Sequence, residues 1–255
     1  LFRSKDLVKL FYPDIPCIHI EEIKSPCQKT EFTVCGYNFT LIIPKGHFDK
    51  IEQKAQENKS DFSNYFLPII DLYDCERNNI EQIKTKLPPE FEKTMLEKIE
   101  KINLNLNNFI FLAPEAESCN KLPDEFWIGL IKILKKRGYD IFVNLTKKRT
   151  GLNNIEFKSI FLSYGEAFAL ARYAKRIITL RSGICELLSE IGVGMDILYT
   201  DFRKKPFFRD LTCKQVMRTF SLNNLPGIDM KNINEIDATG DFESIYKQLN
   251  IVKIH

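Results

Sequence analysis

From residue 109 to residue 199, short apolar runs alternate with stretches of helical period. Phe109-Ile-Phe-Leu-Ala113 is a continuous apolar run, the pattern of a strand buried on both faces of a parallel sheet. Pro114 ends it, because proline cannot donate to a ladder. A polar loop follows, from Glu115 to Lys121. Pro123-Asp124-Glu125 opens a helix that carries Trp127, Leu130, Ile131 and Leu134 on one side and ends at Gly138; acidic residues suit the start of a helix and glycine suits its end. Tyr139 to Asn144 is a second buried strand. Ser159 to Leu162 is a third. Ser163-Tyr-Gly-Glu166 starts a helix with the spacing of a capping box. Arg176 to Leu180 is a fourth strand, Arg181-Ser-Gly183 a tight loop, Ile184 to Ile191 a helix and Met195 to Tyr199 a fifth strand. Connections this short demand a parallel sheet with helices on both faces.

Outside this core the pattern is weaker. Residues 1 to 12 read as a helix and residues 16 to 20 as a short strand. Glu31 to Val34 and Tyr37 to Ile43 read as a hairpin or two adjacent strands around Cys35-Gly36. Phe48 to Lys59 is a polar helix. The stretch from Tyr65 to Leu72 is apolar but broken by Pro68, and residues 76 to 87 are weakly helical. Glu90 to Lys101 is a stronger helix, with Phe91, Met95, Leu96, Ile99 and Ile102 at helical spacing. The polar stretch 103–108 marks a domain boundary. After the core, 201–210 is charged and aromatic, 213–222 is a short helix or strand, and 229–237 is Asn-rich and loop-like. A closing helix runs from Asp241 to Leu249, with Phe242, Ile245, Tyr246 and Leu249 on one side.

Composition narrows the function little. The 255 residues are 44% apolar and 28% charged, with a net charge of +3, which is ordinary for a globular chain. No basic stripe points to nucleic acid. No apolar run reaches the roughly 18 residues of a membrane span. The first residue is Leu1 rather than Met, so the chain reads as a piece of a longer protein. Seven cysteines without a CxxC pair argue against both a zinc site and a disulfide framework, and read as reduced, cytoplasmic thiols. With only His19, His47 and His255, a Ser-His-Asp triad is poorly supplied, and His19 and His47 read as ordinary residues.

Three loops leave the carboxyl ends of strands of one sheet: Pro114 to Lys121, Ser163 to Glu166, and Arg181 to Glu186. Topology brings such loops together, and ligands bind there in open α/β sheets. Arg181-Ser182-Gly183 enters a helix, where free amides, a hydroxyl and a cation suit a phosphate. Glu186, one turn on, suits a ribose hydroxyl. The plainer reading has Ser182 capping the helix and Arg181 paired with a carboxylate. In the first loop Lys121 suits a phosphate, and Glu115 or Glu117 suits a base or a sugar hydroxyl; the plainer reading is a solvated loop. Glu166 is either part of the site, beside Tyr164, or simply the second half of a capping box.

Pro114, Ser118, Lys121 and Trp127, followed by the unit of long helix, glycine and strand, the helix Glu166 to Lys175, and the Ser182-Gly183 turn, together resemble the C-terminal domain of GT-B-fold glycosyltransferases. The likeness is to the heptosyltransferase-like group that builds capsule and lipooligosaccharide. The family's Asp before Ser-Gly and its His soon after are replaced here by Arg181 and Glu186, and Glu115 stands where the proline loop has Gly. The resemblance implies an α/β, GT-B-like architecture. A Rossmann-like parallel-sheet domain over about 106–204 follows a smaller or truncated α/β domain, and a C-terminal helix returns to it. The divisions are an acceptor-side domain at 1–104, a nucleotide-sugar-binding domain at 105–204, and a C-terminal extension at 205–255.

The resemblance further implies a metal-independent transferase with no cofactor. It moves a sugar from a nucleotide-diphosphate donor to a glycan or lipid-linked saccharide acceptor. Donor contacts are expected from Ser118, Lys121, Tyr164, Glu166, Arg181, Ser182, Gly183 and Glu186, and Glu115 and Glu117 are the candidate catalytic groups. The absence of a DxD motif fits, since cationic side chains then neutralise the leaving pyrophosphate. Such an enzyme works in the cytoplasm, in peripheral contact with the inner face of the membrane, and needs no nucleic acid. Two other readings share the fold. A nucleotide-sugar epimerase needs acid and base groups on both faces of the sugar. A non-catalytic domain of a larger polysaccharide-assembly protein keeps the fold with a degraded site, as the departures at Glu115, Arg181 and Glu186 would allow.

Overall fold

The computed structural model describes residues 30–34, 37–41, 85–116, 119–145, 152, 155–202, 211–224 and 228–249. The expected elements at 1–12, 16–20, 48–59, 65–72 and 76–84, together with Glu117, Ser118, His19, His47 and most of 146–154, lie outside them. The hairpin is borne out: β1 (Thr30–Val34) pairs antiparallel with β2 (Tyr37–Leu41), Val34 opposite Tyr37.

The main body is a five-stranded, wholly parallel sheet of Rossmann-like type. Its strands are β3 (Phe109–Ala113), β4 (Asp140–Val143), β5 (Arg176–Leu180), β6 (Met195–Tyr199) and β7 (Ile233–Asp237), in spatial order β4-β3-β5-β6-β7. Every residue of β3, β5 and β6 is buried, as largely apolar runs demand of central parallel strands, and this burial takes in Arg176, Thr179 and Asp196 as well.

The helices between the strands form as their patterns require. Helix α2 (Asp124–Lys136) buries Phe126, Trp127, Leu130, Ile131 and Leu134, a stripe at helical spacing. Acidic residues fill its first turn and lysines its last, in the sense that favours the helix dipole. Gly138 follows at φ +83°, with its amide on the Lys135 carbonyl at 2.9 Å. That left-handed residue is the stop expected from sequence. Helix α3 (Tyr164–Ala171) begins with a complete capping box: the Ser163 hydroxyl takes the Glu166 amide, and the Glu166 carboxylate takes the Ser163 amide. Helix α4 (Ile184–Ser189) and helix α5 (Cys213–Phe220) connect β5 to β6 and β6 to β7. The choice left open for 213–222 is thus resolved as helix, with a second capping box from Thr212 and Gln215.

Two expectations are corrected. Residues 159–162 are not a strand. Only Lys158 bridges to Phe142 of β4, and the next turns lead Phe161 out to solvent. The stretch 229–237, expected as a loop, contains β7, which pairs along its whole length with β6. Only Ile236 of β7 is fully buried, so this edge strand lacks the apolar run that betrays the central ones.

Two helices pack outside the strand–helix rhythm. Helix α6 (Phe242–Gln248) closes the chain against α2. The Phe126 ring meets Phe242 and Tyr246, and the Tyr246 hydroxyl donates to the Phe126 carbonyl at 2.6 Å. Helix α1 (Pro89–Glu100) lies on the amino-terminal side of the boundary read at 103–108, and it packs on α3. The contact is close because residue 165 is glycine. A Cβ there would stand 2.5–2.7 Å from three atoms of the Phe91 ring. Gly165→Ala is therefore expected to cost about 1–3 kcal/mol through overpacking. An unchanged urea midpoint would show that the α1–α3 contact is loose.

Candidate functional site

In sheet order, β3 sits beside β5, while the chain itself passes from β3 out to β4 and only then back to β5. The gap above the carboxyl ends of β3 and β5 is therefore a topological switch point, where loops leave in opposite directions and open a crevice. The two loops singled out from sequence, Glu115 to Lys121 and Arg181 to Gly183, are the ones that flank it.

The first loop is tied down across the end of β5. The Cys119 thiol donates to the Arg181 carbonyl at 3.3 Å. Cys119 also bridges to Phe202, just past β6. The Asn120 amide donates to the Asp201 carbonyl at 2.8 Å, and the Thr200 hydroxyl to the Asn120 carbonyl at 2.7 Å. Leu122 and Ala116 are buried beneath. Burial pushes the Cys119 thiol up to about 11, against the pull of the Arg181 charge, so it stays a neutral donor. These ties leave Lys121 exposed at the rim, with Glu115 half-buried.

The second loop turns its arginine inward. Arg181 is 7% exposed. Its Nε donates to the Phe220 carbonyl at 2.8 Å, Nη1 to the Ser182 carbonyl at 2.8 Å and to Glu186 at 3.2 Å, and Nη2 to Glu186 at 2.6 Å. Burial works against the charge, but the Glu186 carboxylate more than restores it and raises the guanidinium pKa. Arg181 and Glu186 thus occupy each other. The cation holds the turn to the end of α5, and the carboxylate is spent mainly on the cation, although Glu186 remains a third exposed.

Ser182 does not cap α4. Gly183 holds the cap position without a side-chain bond, and the Ser182 amide is taken by the Cys185 sulfur at 3.4 Å. Gly183 is exposed, and a Cβ built on it meets nothing within 4 Å. Among the described residues, the open part of the switch point is accordingly Gly183, the half-exposed Ser182 side chain and the Lys121 ammonium.

Glu166 is buried and spoken for. Besides the Ser163 amide at 2.8 Å, its carboxylate takes the Lys98 ammonium at 2.7 Å. Burial opposes ionisation, yet these partners lower its pKa below the ordinary carboxylate value. A depressed carboxylate stabilises the fold above its unfolded pKa, about 4.3, and that stability is lost as pH falls through the folded value. The α1–α3 contact is expected to weaken on acidification below about pH 4, and Glu166→Gln is expected to flatten that limb of the pH–stability curve. A limb of unchanged slope would assign it to other carboxylates. Tyr164, beside it, is 39% exposed at the same edge of the sheet.

Sequence reasoning passed over the groups that hold the second loop from behind. The Tyr199 hydroxyl donates to the Phe220 carbonyl at 3.1 Å and to Glu235 of β7. Ser221 and the Leu222 amide also donate to Glu235, at 2.6 and 2.8 Å. Burial, with Glu235 beside it, raises the Tyr199 pKa, so this phenol remains a donor. Tyr199 at a strand end gave no local sign of this role. Among the described residues no group of three or more His, Cys, Asp or Glu is placed to hold a metal, and no helix is long and apolar enough to cross a membrane. Cys119, Cys185 and Cys213 are free and buried.

No protein-family model and no curated protein matches the sequence. Among solved structures the chain is similar to a glycosyl transferase family 9 protein from Veillonella parvula, with 15% identity and TM-score 0.47 over 74% of this chain and 52% of that one. It is similar also to the ADP-heptose LPS heptosyltransferase II of E. coli, with 15% identity and TM-score 0.48 over 71% of this chain and 56% of that one. A third is the UDP-GlcNAc 2-epimerase of Methanocaldococcus jannaschii in complex with UDP-GlcNAc and UDP, with 15% identity and TM-score 0.39 over 73% and 51%. The chain spans about half the length of each of these proteins.

Proposed function

We propose that this chain is the donor-binding part of a glycosyltransferase that moves a sugar from a nucleotide diphosphate to a growing surface glycan. The observation that carries this reading is the convergence of the 114–121 loop and the Ser182–Gly183 turn on one switch point, with Lys121 exposed above it. The diphosphate lies along the open turn. Lys121 neutralises part of its charge, and the Ser182 hydroxyl and nearby amides donate to its oxygens. Ser118 and Tyr164 are kept as further donor contacts. Glu115 and Glu117 are kept as candidates for the base that takes the proton of the acceptor hydroxyl. The acceptor is a glycan or lipid-linked saccharide, reached at the cytoplasmic face of a membrane.

Three residues change rank from the sequence expectation. Arg181 and Glu186 build the turn rather than line the ligand, because their charged atoms already face each other. Glu166 moves into the α1–α3 contact.

Titration of the chain with UDP, GDP, ADP and CMP by calorimetry tests the reading. One nucleoside diphosphate is expected to bind in the micromolar range. Gly183→Leu places a side chain in empty space, so the fold is expected to persist while affinity falls about tenfold or more, or about 1.4 kcal/mol. Binding unaffected by Gly183→Leu would move the site elsewhere. An absence of binding by every nucleotide would favour a non-catalytic domain of a larger assembly protein.

A further inference from the structure

Lys121 is exposed, and its ammonium is held by no hydrogen bond or ion pair among the described residues. Its direction is therefore set by the backbone that carries it. Both main-chain groups of the preceding residue, Asn120, are taken by consecutive residues at the exit of β6. The Asn120 amide donates to the Asp201 carbonyl at 2.8 Å, and the Asn120 carbonyl accepts from the Thr200 hydroxyl at 2.7 Å. The Asn120 carbonyl and the Lys121 amide share one planar peptide unit. The Thr200 bond thus fixes the plane from which the Lys121 Cα departs. On the other side, Leu122 is buried, and Pro123 leads into α2 at φ −64°. Lys121 is bracketed between two fixed points.

The post that carries Thr200 is itself anchored. Just before it, the Tyr199 carbonyl accepts from the Ala238 amide at 2.8 Å and from the Cys213 thiol at 3.2 Å. Just after it, the Asp201 carboxylate accepts from the Cys213 amide at the start of α5, at 2.9 Å. Thr200 is 4% exposed between these ties. The chain leaving β3 reaches it by crossing the end of β5, since the order there is β3-β5-β6, a span of about 10 Å at ordinary strand spacing. The other side-chain tie in this crossing is the Cys119 thiol on the Arg181 carbonyl at 3.3 Å, and a thiol is a weak donor. The Thr200 hydroxyl is the stronger of the two.

We propose that Thr200 is the positioning residue for Lys121, holding the 120–121 peptide so that the ammonium faces the Ser182–Gly183 turn when a nucleoside diphosphate binds. This rests on the donor site proposed above. Thr200 is buried and acts through Lys121: it removes backbone freedom before the ligand arrives, freedom whose loss on binding would otherwise weaken affinity.

Thr200→Val keeps the shape and removes the hydroxyl. Calorimetry on the full chain with UDP, GDP and ADP selects the diphosphate that binds the wild type most tightly, and that nucleotide probes every variant. Thr200→Val is expected to weaken it about tenfold. Thr200→Ser, which keeps the hydroxyl, is expected to stay within about twofold of the wild type. Added to Lys121→Ala, Thr200→Val is expected to bring no further loss, because no ammonium is left to position. A merely structural threonine would weaken binding equally in both backgrounds, and that result overturns the proposal. Wild-type affinity in Thr200→Val overturns it too, as does a Thr200→Val chain that fails to fold. Hydrogen exchange read by mass spectrometry needs no nucleotide. The amides of 119–122 are expected to exchange severalfold faster in Thr200→Val, while those of β6 keep their rate; equal exchange at 119–122 would sink the idea. Loss of affinity in Lys121→Ala but not in Thr200→Val leaves the donor site standing and removes only the positioning role. A wild type that binds none of the three diphosphates removes both.

Discussion

Replacing Asp196 with alanine is expected to lower the stability of the sheet domain by about 3–5 kcal/mol, the cost of removing one partner from a buried ion pair. Asp196 is fully buried on β6, and Arg176, at the start of β5, is 9% exposed. Both ends of the pair are engaged: Arg176 Nε and Nη2 each donate to a carboxylate oxygen, the second at 2.9 Å. Asn234 of β7 adds a third bond to Asp196, at 2.8 Å, and reaches on to the Gln248 carbonyl of α6. One carboxylate thus ties three adjacent strands together, in addition to the β6–β7 ladder and the bonds to Glu235. Alanine would leave a guanidinium in a dry site with no counter-charge. Asp196→Asn keeps the shape and some hydrogen bonds but not the charge, and is expected to fall between the wild type and alanine. The check is a urea titration in which the midpoint moves while the slope is unchanged. A shift under 1 kcal/mol would mean that water or a rearranged Arg176 rescues the charge.

Arg181→Ala is expected to cost about 3 kcal/mol of stability, while Lys121→Ala costs within about 0.5 kcal/mol. The contrast follows from where the two cations sit. Arg181 is buried and donates four hydrogen bonds, one of them to a carbonyl 39 positions along the chain. Without it the Phe220 carbonyl keeps the Tyr199 hydroxyl but loses its guanidinium donor, and the partly buried Glu186 carboxylate loses its charged partner, a costly loss for desolvated groups. Lys121 is exposed, and no hydrogen bond or ion pair holds it among the described residues. Nucleotide binding is expected to show the opposite weighting: Lys121→Ala weakens it on an intact fold, and Arg181→Ala weakens it only as the turn loosens. Arg181→Lys is a useful third variant. It restores a charge for Glu186 but cannot span to Phe220 as a planar fork does, so it is expected to recover part of the stability. Melting curves and calorimetry on the same three proteins decide the matter. If Arg181→Ala melts like the wild type yet loses nucleotide, the arginine faces the ligand after all.

Much of this was legible in the residues. The run 109–113 is apolar at every position and 176–180 and 195–199 are mostly so, and central parallel strands are the structures that tolerate this. Ser163 and Glu166 announce a capping box by spacing alone, and Gly138 announces a helix stop. These features are local. Their energies depend on residues a few positions apart, so the chain states them without knowing its fold. The convergence of the 114–121 and 181–183 loops was also legible, because it follows from strand order once the strands are known.

The tertiary structure decided the rest. Ile233-Asn-Glu-Ile-Asp237 is a strand because β6 offers it a free edge, and no periodicity in those five residues says so. Ser159 to Leu162 is apolar enough for a strand but follows β4 only at Lys158, after which the backbone turns into the α3 cap. Arg181 reads the same in sequence whether it faces a phosphate or a carboxylate. Its direction was set by Glu186 one turn away and by the end of α5, which reaches it only after β6 and a further helix have packed. Asp196 sat unnoticed in an apolar run, since nothing nearby reveals that Arg176 waits across the sheet. Sequence by itself determined most of the elements and brought the 114–121 and 181–183 loops to one edge of the sheet. Which charged groups remain open at that edge depends on long-range pairing, because burying a charge is tolerable only where a distant partner arrives to meet it.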